Sequence, residues 1–303
     1  MMKILLFGKD GQVGRELRRS LSCLGDLICL GRKDADLQNL AALRGVIQQH
    51  QPDILVNTAA YTAVDNAESD ATTANAVNAV AVGVLAEETA KHNAWLVHYS
   101  TDYVYDGTKS SPYLESDVTC PLSVYGKTKR EGDELIRKHN RKHLIFRTSW
   151  VYAARGRNFI DTILGLARKR ENVKVIDDQF GAPTSAGLIA DVTALAIHTV
   201  TQRFDQDRSD LAGTYHLVAA GETSWFGYAR FMLEQAQARG IALKTNPSQI
   251  QAISTDAYPR PAKRPKNSRM STDKITQAFR VHLPDWRYHV ELTLDEILTR
   301  KDL

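Results

Sequence analysis

Cysteine is scarce, and so are the signatures of export or of a membrane. Only three of the 303 residues are cysteine. Cys23, Cys29 and Cys120 build no disulfide framework and form no C-x-x-C pair, so a reducing, cytoplasmic setting is expected. No apolar run approaches the ~20 residues of a membrane span. The apolar run before Gly8 is shorter than the core of a secretory signal. Net charge is also small: 39 Lys and Arg against 35 Asp and Glu leave +4, too little to argue for nucleic acid. The nine histidines show no metal-ligand spacing. There is no internal repeat and no low-complexity segment. What remains is a chain 43% hydrophobic and 24% charged, able to bury one large core or two modest ones.

The first half alternates short apolar runs with helical periodicity. Strands are expected at 3–7, 27–30, 54–56, 95–100 and 143–147, and helices at 13–24, 40–49, 74–91 and 125–138. Such alternation implies parallel pairing through crossovers and a Rossmann-like, doubly wound α/β sheet. After Trp150 the pattern loosens. Helices are expected at 158–169, 187–199 and 225–238, strands at 174–176 and 215–218, and a charged loop at 205–210. The expected division is a dinucleotide-binding domain over 1–149, taking back parts of 188–218. A smaller α/β substrate-binding domain is expected mainly from 150–303.

"FGKDGQVG" places Gly8, Gly11 and Gly14 directly after the first strand and at the start of the first helix. A tight turn and a close backbone approach by a pyrophosphate both require residues without side chains, and the helix N-terminus offers free N–H groups to phosphate. The spacing is G-x-x-G-x-x-G, not G-x-G-x-x-G, and a plain strand-to-helix turn also favours glycine. Strand two ends in Gly31-Arg32-Lys33, where NAD binders usually carry an acid. Arg32 suits the 2′-phosphate of NADPH, with NADH also usable; a solvated loop is the plainer reading. Asp36 and Leu37 lie where an adenine is contacted, and the small residues of 57–65 let the nicotinamide side pass.

Tyr125 and Lys129 in "YGKTK" stand at i and i+4 and share a helix face. A phenol with pKa ~10 holds its proton firmly, and a nearby ammonium lowers that value. The pair is then a general acid or base, and the lysine can also hold ribose hydroxyls. An amphipathic helix start with a half-buried tyrosine is the alternative. "HYSTDYVYDG" ends strand four at the sheet edge where open α/β proteins bind ligands, and Ser100 or Thr101 there can bond a substrate carbonyl. Within 259–269, Arg260, Lys263, Arg264, Lys266 and Arg269 stand without an acid. Without aromatic interleaving this suits a diphosphate better than nucleic acid, with Arg264 and Asn267 as candidates.

These motifs resemble the extended short-chain dehydrogenase/reductases, and within them the dTDP-4-dehydrorhamnose reductases. "LLFGKDGQVG", "AAYTAVDNAE", "VHYSTDYVYDG", "PLSVYGKTK", "FRTSWVYA", "DDQFGAPT", "YHLV" and "RPKNSRM" carry the resemblance nearly end to end. It implies reduction of the C4 ketone of dTDP-4-dehydro-β-L-rhamnose to dTDP-L-rhamnose by NADPH or NADH. Tyr125 would donate the proton, Lys129 tune it, and Thr101 hold the C4 oxygen. Thr101, Asp102 and Trp150 would hold the sugar, while Gly11, Gln12, Val13, Asp36, Leu37, Ala60, Tyr61 and Thr62 would contact the cofactor.

Related dehydratases carry a glutamate where this chain has Tyr103, which favours plain reduction here. Some relatives are dimers bridged by Mg²⁺. Glu16 is present in the first helix, but Gly187 stands where the resemblance wants a glutamate and Asp191 is isolated, so no tight metal is expected. The expected partner is a nucleotide sugar, the chain acting as a monomer or weak homodimer. The segment 180–186 is expected to turn tightly and close the site. The rival readings are a non-catalytic nucleotide-binding regulatory subunit, and a different nucleotide-sugar reductase or epimerase with tightly held NAD⁺.

Overall fold

The computed structural model describes residues 1–202 and 209–299. Five strands of the first half, β1 (Lys3–Phe7), β2 (Asp26–Leu30), β3 (Ile54–Asn57), β4 (Trp95–Thr101) and β5 (His143–Thr148), join a sixth strand, Gly213–His216, in one sheet. The order is β2-β1-β3-β4-β5-sixth, and every pairing is parallel. The chain therefore reverses its direction of travel between β1 and β3, the switch point where open sheets leave a crevice for ligands.

β3, β4 and β5 are buried along their whole length, which is why they read as continuous apolar runs. Their period-2 alternation divides the core. Ile4, Leu6, Ile54, Val56, Val97 and Phe146 face one layer, with Leu17 and Leu21 and with Leu188, Ile189 and Ile197 of the helix Ala186–Thr201. Leu5, Phe7, Leu55, Leu96 and Ile145 face the other, with Leu43 and Ile47 of the helix Leu40–His50 and with Val82, Leu85 and Ile136. Burial on both faces makes the sheet a rigid platform for what stands at its C-terminal edge.

Most expected elements are present within a few residues. The first helix is shorter than read, Gln12–Ser20. The long helix expected over 74–91 is broken into Ala71–Asn75, a π-turn at Ala76–Val80, and Ala81–Lys91. The π-turn carries Asn78 into the interior, where its Oδ1 accepts from the Tyr61 N–H (2.9 Å) and its Nδ2 donates to the Tyr61 carbonyl (3.1 Å) and to Thr128 Oγ1 (3.2 Å). One inserted residue per turn is tolerated where such bonds repay it. Helices Asp273–Phe279 and Trp286–Thr299 were not anticipated. Of the loop expected over 205–210, residues 205–208 lie outside the described residues, and Ser209–Leu211 is a 3₁₀ turn. Among the described residues no helix is long and apolar enough to cross a membrane.

Candidate active site

A cleft of about 850 Å³ opens at the switch point, floored by the β1 turn and walled by the ends of β3 and β4. Gly8, Gly11, Gln12, Val13, Gly14, Arg32, Asp36, Leu37, Ala60, Tyr61, Thr62, Thr101, Asp102, Tyr125, Lys129 and Trp150 all line it. The turn depends on its glycines. Gly8 has φ +84, a left-handed conformation that favours glycine. A Cβ on Gly14 would lie 2.0 Å from the Gly8 carbonyl oxygen. Gly11 caps the first helix with no side-chain bond to its leading N–H groups, leaving them directed at the cleft as an anion cradle.

Arg32 is 77% exposed at its side chain, with Nε 3.3 Å from Asp36 Oδ2. Asp36 also accepts from the Gln38 N–H (3.0 Å), and these bonds hold its carboxyl below the usual range. Both signs of charge therefore stand where a ribose would be read. Lys9 is engaged by Asp34 at 2.7 Å.

The helix Val124–His139 starts with Ser123, whose Oγ accepts from the Gly126 N–H at 3.2 Å. Gly126 lets this helix pack against the β4 exit, since a Cβ there would lie 2.2 Å from the Tyr103 carbonyl oxygen. That approach brings Tyr125 to Thr101. Thr101 Oγ1 donates to Asp102 Oδ1 (3.0 Å) and accepts from the Tyr103 N–H (3.2 Å). Burial raises the Tyr125 phenol well above its ordinary ~10, hydrogen bonding to Thr101 offsetting part of the rise while Asp102 and Asp133 add to it. The sequence reading has the Lys129 ammonium lowering this phenol. The structure differs because burial dominates, and because Lys129 turns its amine to the Tyr99 carbonyl (2.6 Å) and to His98 Nε2 (2.9 Å). Lys129 is itself buried, and burial lowers it to about 8, with Asp133 opposing.

Asp102, 3% exposed, is held by hydrogen bonds from Ser268 and Thr101, and burial still raises it to about 6. Trp150 adopts φ +49, its ring stacked on Trp225 with centroids 3.7 Å apart. Gly181 also lies against that ring, where a Cβ would come within 2.9 Å of it.

Two expected residues stand outside the cleft lining. Arg264 NH2 reaches Asp65 Oδ2 at 3.0 Å. Asn267 donates to the Lys109 and Ser111 carbonyls (2.7 and 2.9 Å) and accepts from Arg269, so it pins a loop. The segment 180–186 does not line the cleft either; it pairs Phe180–Gly181 with Thr223–Ser224 and Thr184–Ser185 with Val151–Tyr152 beneath Trp150. Ser268, His98, Asn78 and Trp225 were missed. Each acts on a partner in another element, and only the buried histidine within a strand could have been flagged from sequence.

The family described as "RmlD substrate binding domain" matches residues 2–299. A dTDP-4-dehydrorhamnose reductase from Escherichia coli strain K12 is 48% identical over 302 residues, covering 98% of this chain and 99% of that protein. The chain belongs to the dTDP-4-dehydrorhamnose reductase family. It is thereby an oxidoreductase, a class that the half-buried phenol and the glycine-floored cleft suit. The namesake from Burkholderia thailandensis is 48% identical over 299 residues, covering 99% of this chain and 100% of that one. Among solved structures, the dTDP-4-dehydrorhamnose reductase of Bacillus anthracis in complex with NADP is 30% identical. It covers 98% of this chain and 100% of that chain with TM-score 0.88. A UDP-glucose 4-epimerase from Thermus thermophilus, 18% identical with TM-score 0.74, shares the fold alone.

The bridging-metal residues that the family resemblance suggested are otherwise engaged in part. Asp191 Oδ1 accepts from Arg19 (2.8 Å) and from Ser20 (2.6 Å). Among the described residues, no three His, Cys, Asp or Glu side chains converge to hold a metal.

Proposed function

We propose that the protein reduces the C4 ketone of dTDP-4-dehydro-β-L-rhamnose to dTDP-L-rhamnose, with NADPH preferred to NADH and Tyr125 as the proton donor. The observation that carries this reading is the meeting of a half-buried, firmly protonated phenol with Thr101 in the same cleft as the glycine cradle. The names of the close relatives and the NADP complex of the Bacillus anthracis protein support it.

The chain fits a dinucleotide. Gly8, Gly11 and Gly14 clear the floor for a pyrophosphate, the uncapped N–H groups of Gln12–Ser20 face it, and Arg32 stands at the ribose end. When bound, the nicotinamide supplies the hydride. The residues of the chain supply the rest. Thr101 holds the carbonyl oxygen and Tyr125 O–H donates its proton to that oxygen as negative charge develops, closing the C=O to C–OH. A phenol raised by burial stays protonated at neutral pH, so the proton is present when needed. Lys129 lines the same cleft, its amine on the Tyr99 carbonyl and His98, and as the ammonium holds ribose hydroxyls. Asp102, steadied by Ser268, accepts from a sugar hydroxyl. Tyr103 offers no second carboxylate to abstract a proton beside the ketone, so reduction ends the cycle. Trp150 forms the wall for the sugar, held by Trp225 and Gly181.

The test is product identity. Purified protein given the keto-sugar and NADPH should oxidise one NADPH per ketone and yield dTDP-L-rhamnose. NADPH left untouched, or a dehydrated or epimerised product, would reject the reading.

A further inference from the structure

Behind Lys129 runs a set of hydrogen bonds whose donors and acceptors can be assigned one by one. The Ala59 N–H donates to Asn57 Oδ1 at 3.1 Å. That bond fixes the amide, so its NH₂ faces His98 Nδ1 at 3.2 Å. An amide NH₂ only donates, so Nδ1 accepts and the single imidazole proton sits on Nε2. Nε2 lies 2.9 Å from Lys129 Nζ, and Nζ lies 2.6 Å from the Tyr99 carbonyl oxygen. The carbonyl takes an N–H from the lysine. Toward Nε2–H the lysine must then offer a lone pair, which an ammonium lacks.

This arrangement belongs to a neutral amine. With an ammonium, Nε2 must accept, the imidazole proton must move to Nδ1, and the Asn57 amide must turn over and abandon the Ala59 N–H. Asn57 and His98 are each 1% exposed, so solvent does not repair a mismatch between them.

We propose that His98 is a positioning residue for Lys129 and that the two form one switch: neutral lysine with the proton on Nε2, ammonium with the proton on Nδ1. The kinetic consequence rests on the reading under Proposed function; the switch itself does not. The titratable groups acting on Nζ are His98 on β4 and Asp133 on its own helix. Asp133 favours the ammonium, but it is already engaged by Ser100 Oγ at 2.9 Å and Arg147 Nε at 3.4 Å, which weakens its pull. Burial keeps His98 itself from charging, so the proton that enters or leaves the pair belongs to the lysine, and the imidazole only changes tautomer.

The test is ¹⁵N NMR of the histidine side chains in the cofactor-free protein from pH 6 to 10, with His98→Gln used to assign the signal. The expected result is a change from Nδ1–H at low pH to Nε2–H at high pH, with no imidazolium. A tautomer constant across the range would overturn the proposal. Asn57→Asp supplies a second arm. One carboxylate oxygen can keep the Ala59 N–H while the other accepts Nδ1–H, so the switch should move up by about one pH unit, and the fall in kcat expected as Lys129 loses its proton should move up with it. An unchanged switch pH in a folded Asn57→Asp protein would also overturn the proposal. Should that variant not fold, the wild-type titration decides alone. If the keto-sugar proves not to be the substrate, the NMR result still stands.

Discussion

The ring of Tyr103 meets that of Tyr125 edge-on, with centroids 5.6 Å apart and planes at 77°. Two half-buried phenols thus sit side by side at the β4 exit, both raised chiefly by desolvation. Only the Tyr125 hydroxyl is hydrogen-bonded to Thr101, and only Tyr125 shares a helix face with Lys129. On the proposed reading they do different work: Tyr125 gives the proton, and Tyr103 packs and fills the place where a second acid would stand. Tyr103→Phe keeps the edge-to-face contact and should leave kcat within about fivefold, a loss of about 1 kcal/mol at most. A loss of a hundredfold in steady-state kcat would show that the two roles have been interchanged.

On the proposed reading, in which Asp102 accepts from a sugar hydroxyl, this residue sets an acid limit. Its folded value is about 6, so as pH falls through about 6 the carboxylate takes up a proton and stops accepting from a sugar hydroxyl. The profile of kcat/KM, which reports groups of the free enzyme, should fall below pH 6. Asp102→Asn should lower the plateau and abolish that limb. A wild-type profile flat down to pH 5 would remove Asp102 from substrate binding.

On the proposed reading cofactor choice rests on Arg32 against Asp36. The guanidinium is exposed and only loosely paired at 3.3 Å, free to meet a 2′-phosphate, whereas Asp36 disfavours one. Arg32→Ala should weaken NADPH about tenfold or more, a charge-assisted contact of about 1.5–3 kcal/mol, and leave NADH within about twofold. Titrations of both cofactors by fluorescence check this; equal weakening would mean that Arg32 does not read the phosphate.

The glycine turn makes a stability prediction. A methyl on Gly14 would sit 2.0 Å from the Gly8 carbonyl oxygen, a backbone atom that cannot swing away. Gly14→Ala should cost about 2 kcal/mol or more and lower the melting temperature while weakening NADPH. An unchanged melting curve would show that the first helix can shift to admit the methyl.

Local chemistry was legible in the sequence, and tertiary partnership was not. β3, β4 and β5 announce themselves because burial on both faces demands unbroken apolar runs, and Tyr125 with Lys129 because four residues on a helix are neighbours in any fold. The π-turn at Ala76–Val80 is invisible in a chain of alanine and valine because its cause is the bond from Asn78 to Tyr61, 17 residues away. Ser268 reaches Asp102 across 166 residues, and no spacing rule spans that. The basic run 260–269 reads from sequence as a partner for a diphosphate, with Arg264 and Asn267 as candidates. Its partners, Asp65 for Arg264 and loop carbonyls around Asn267, follow from how the second half folds back over the loop after β3. Trp286, Val290 and Leu294 do stand four apart and are all buried, so the last helix could have been read from its periodicity.

The central claim is that Tyr125 delivers the proton, and single-turnover reduction at saturating NADPH and keto-sugar tests it most directly. Tyr125→Phe, which removes only the hydroxyl, should slow that step by about 10²–10⁴-fold while the dissociation constant for NADPH stays within a few fold of wild type. A Tyr125→Phe protein that reduces the ketone at near wild-type rate would contradict the account.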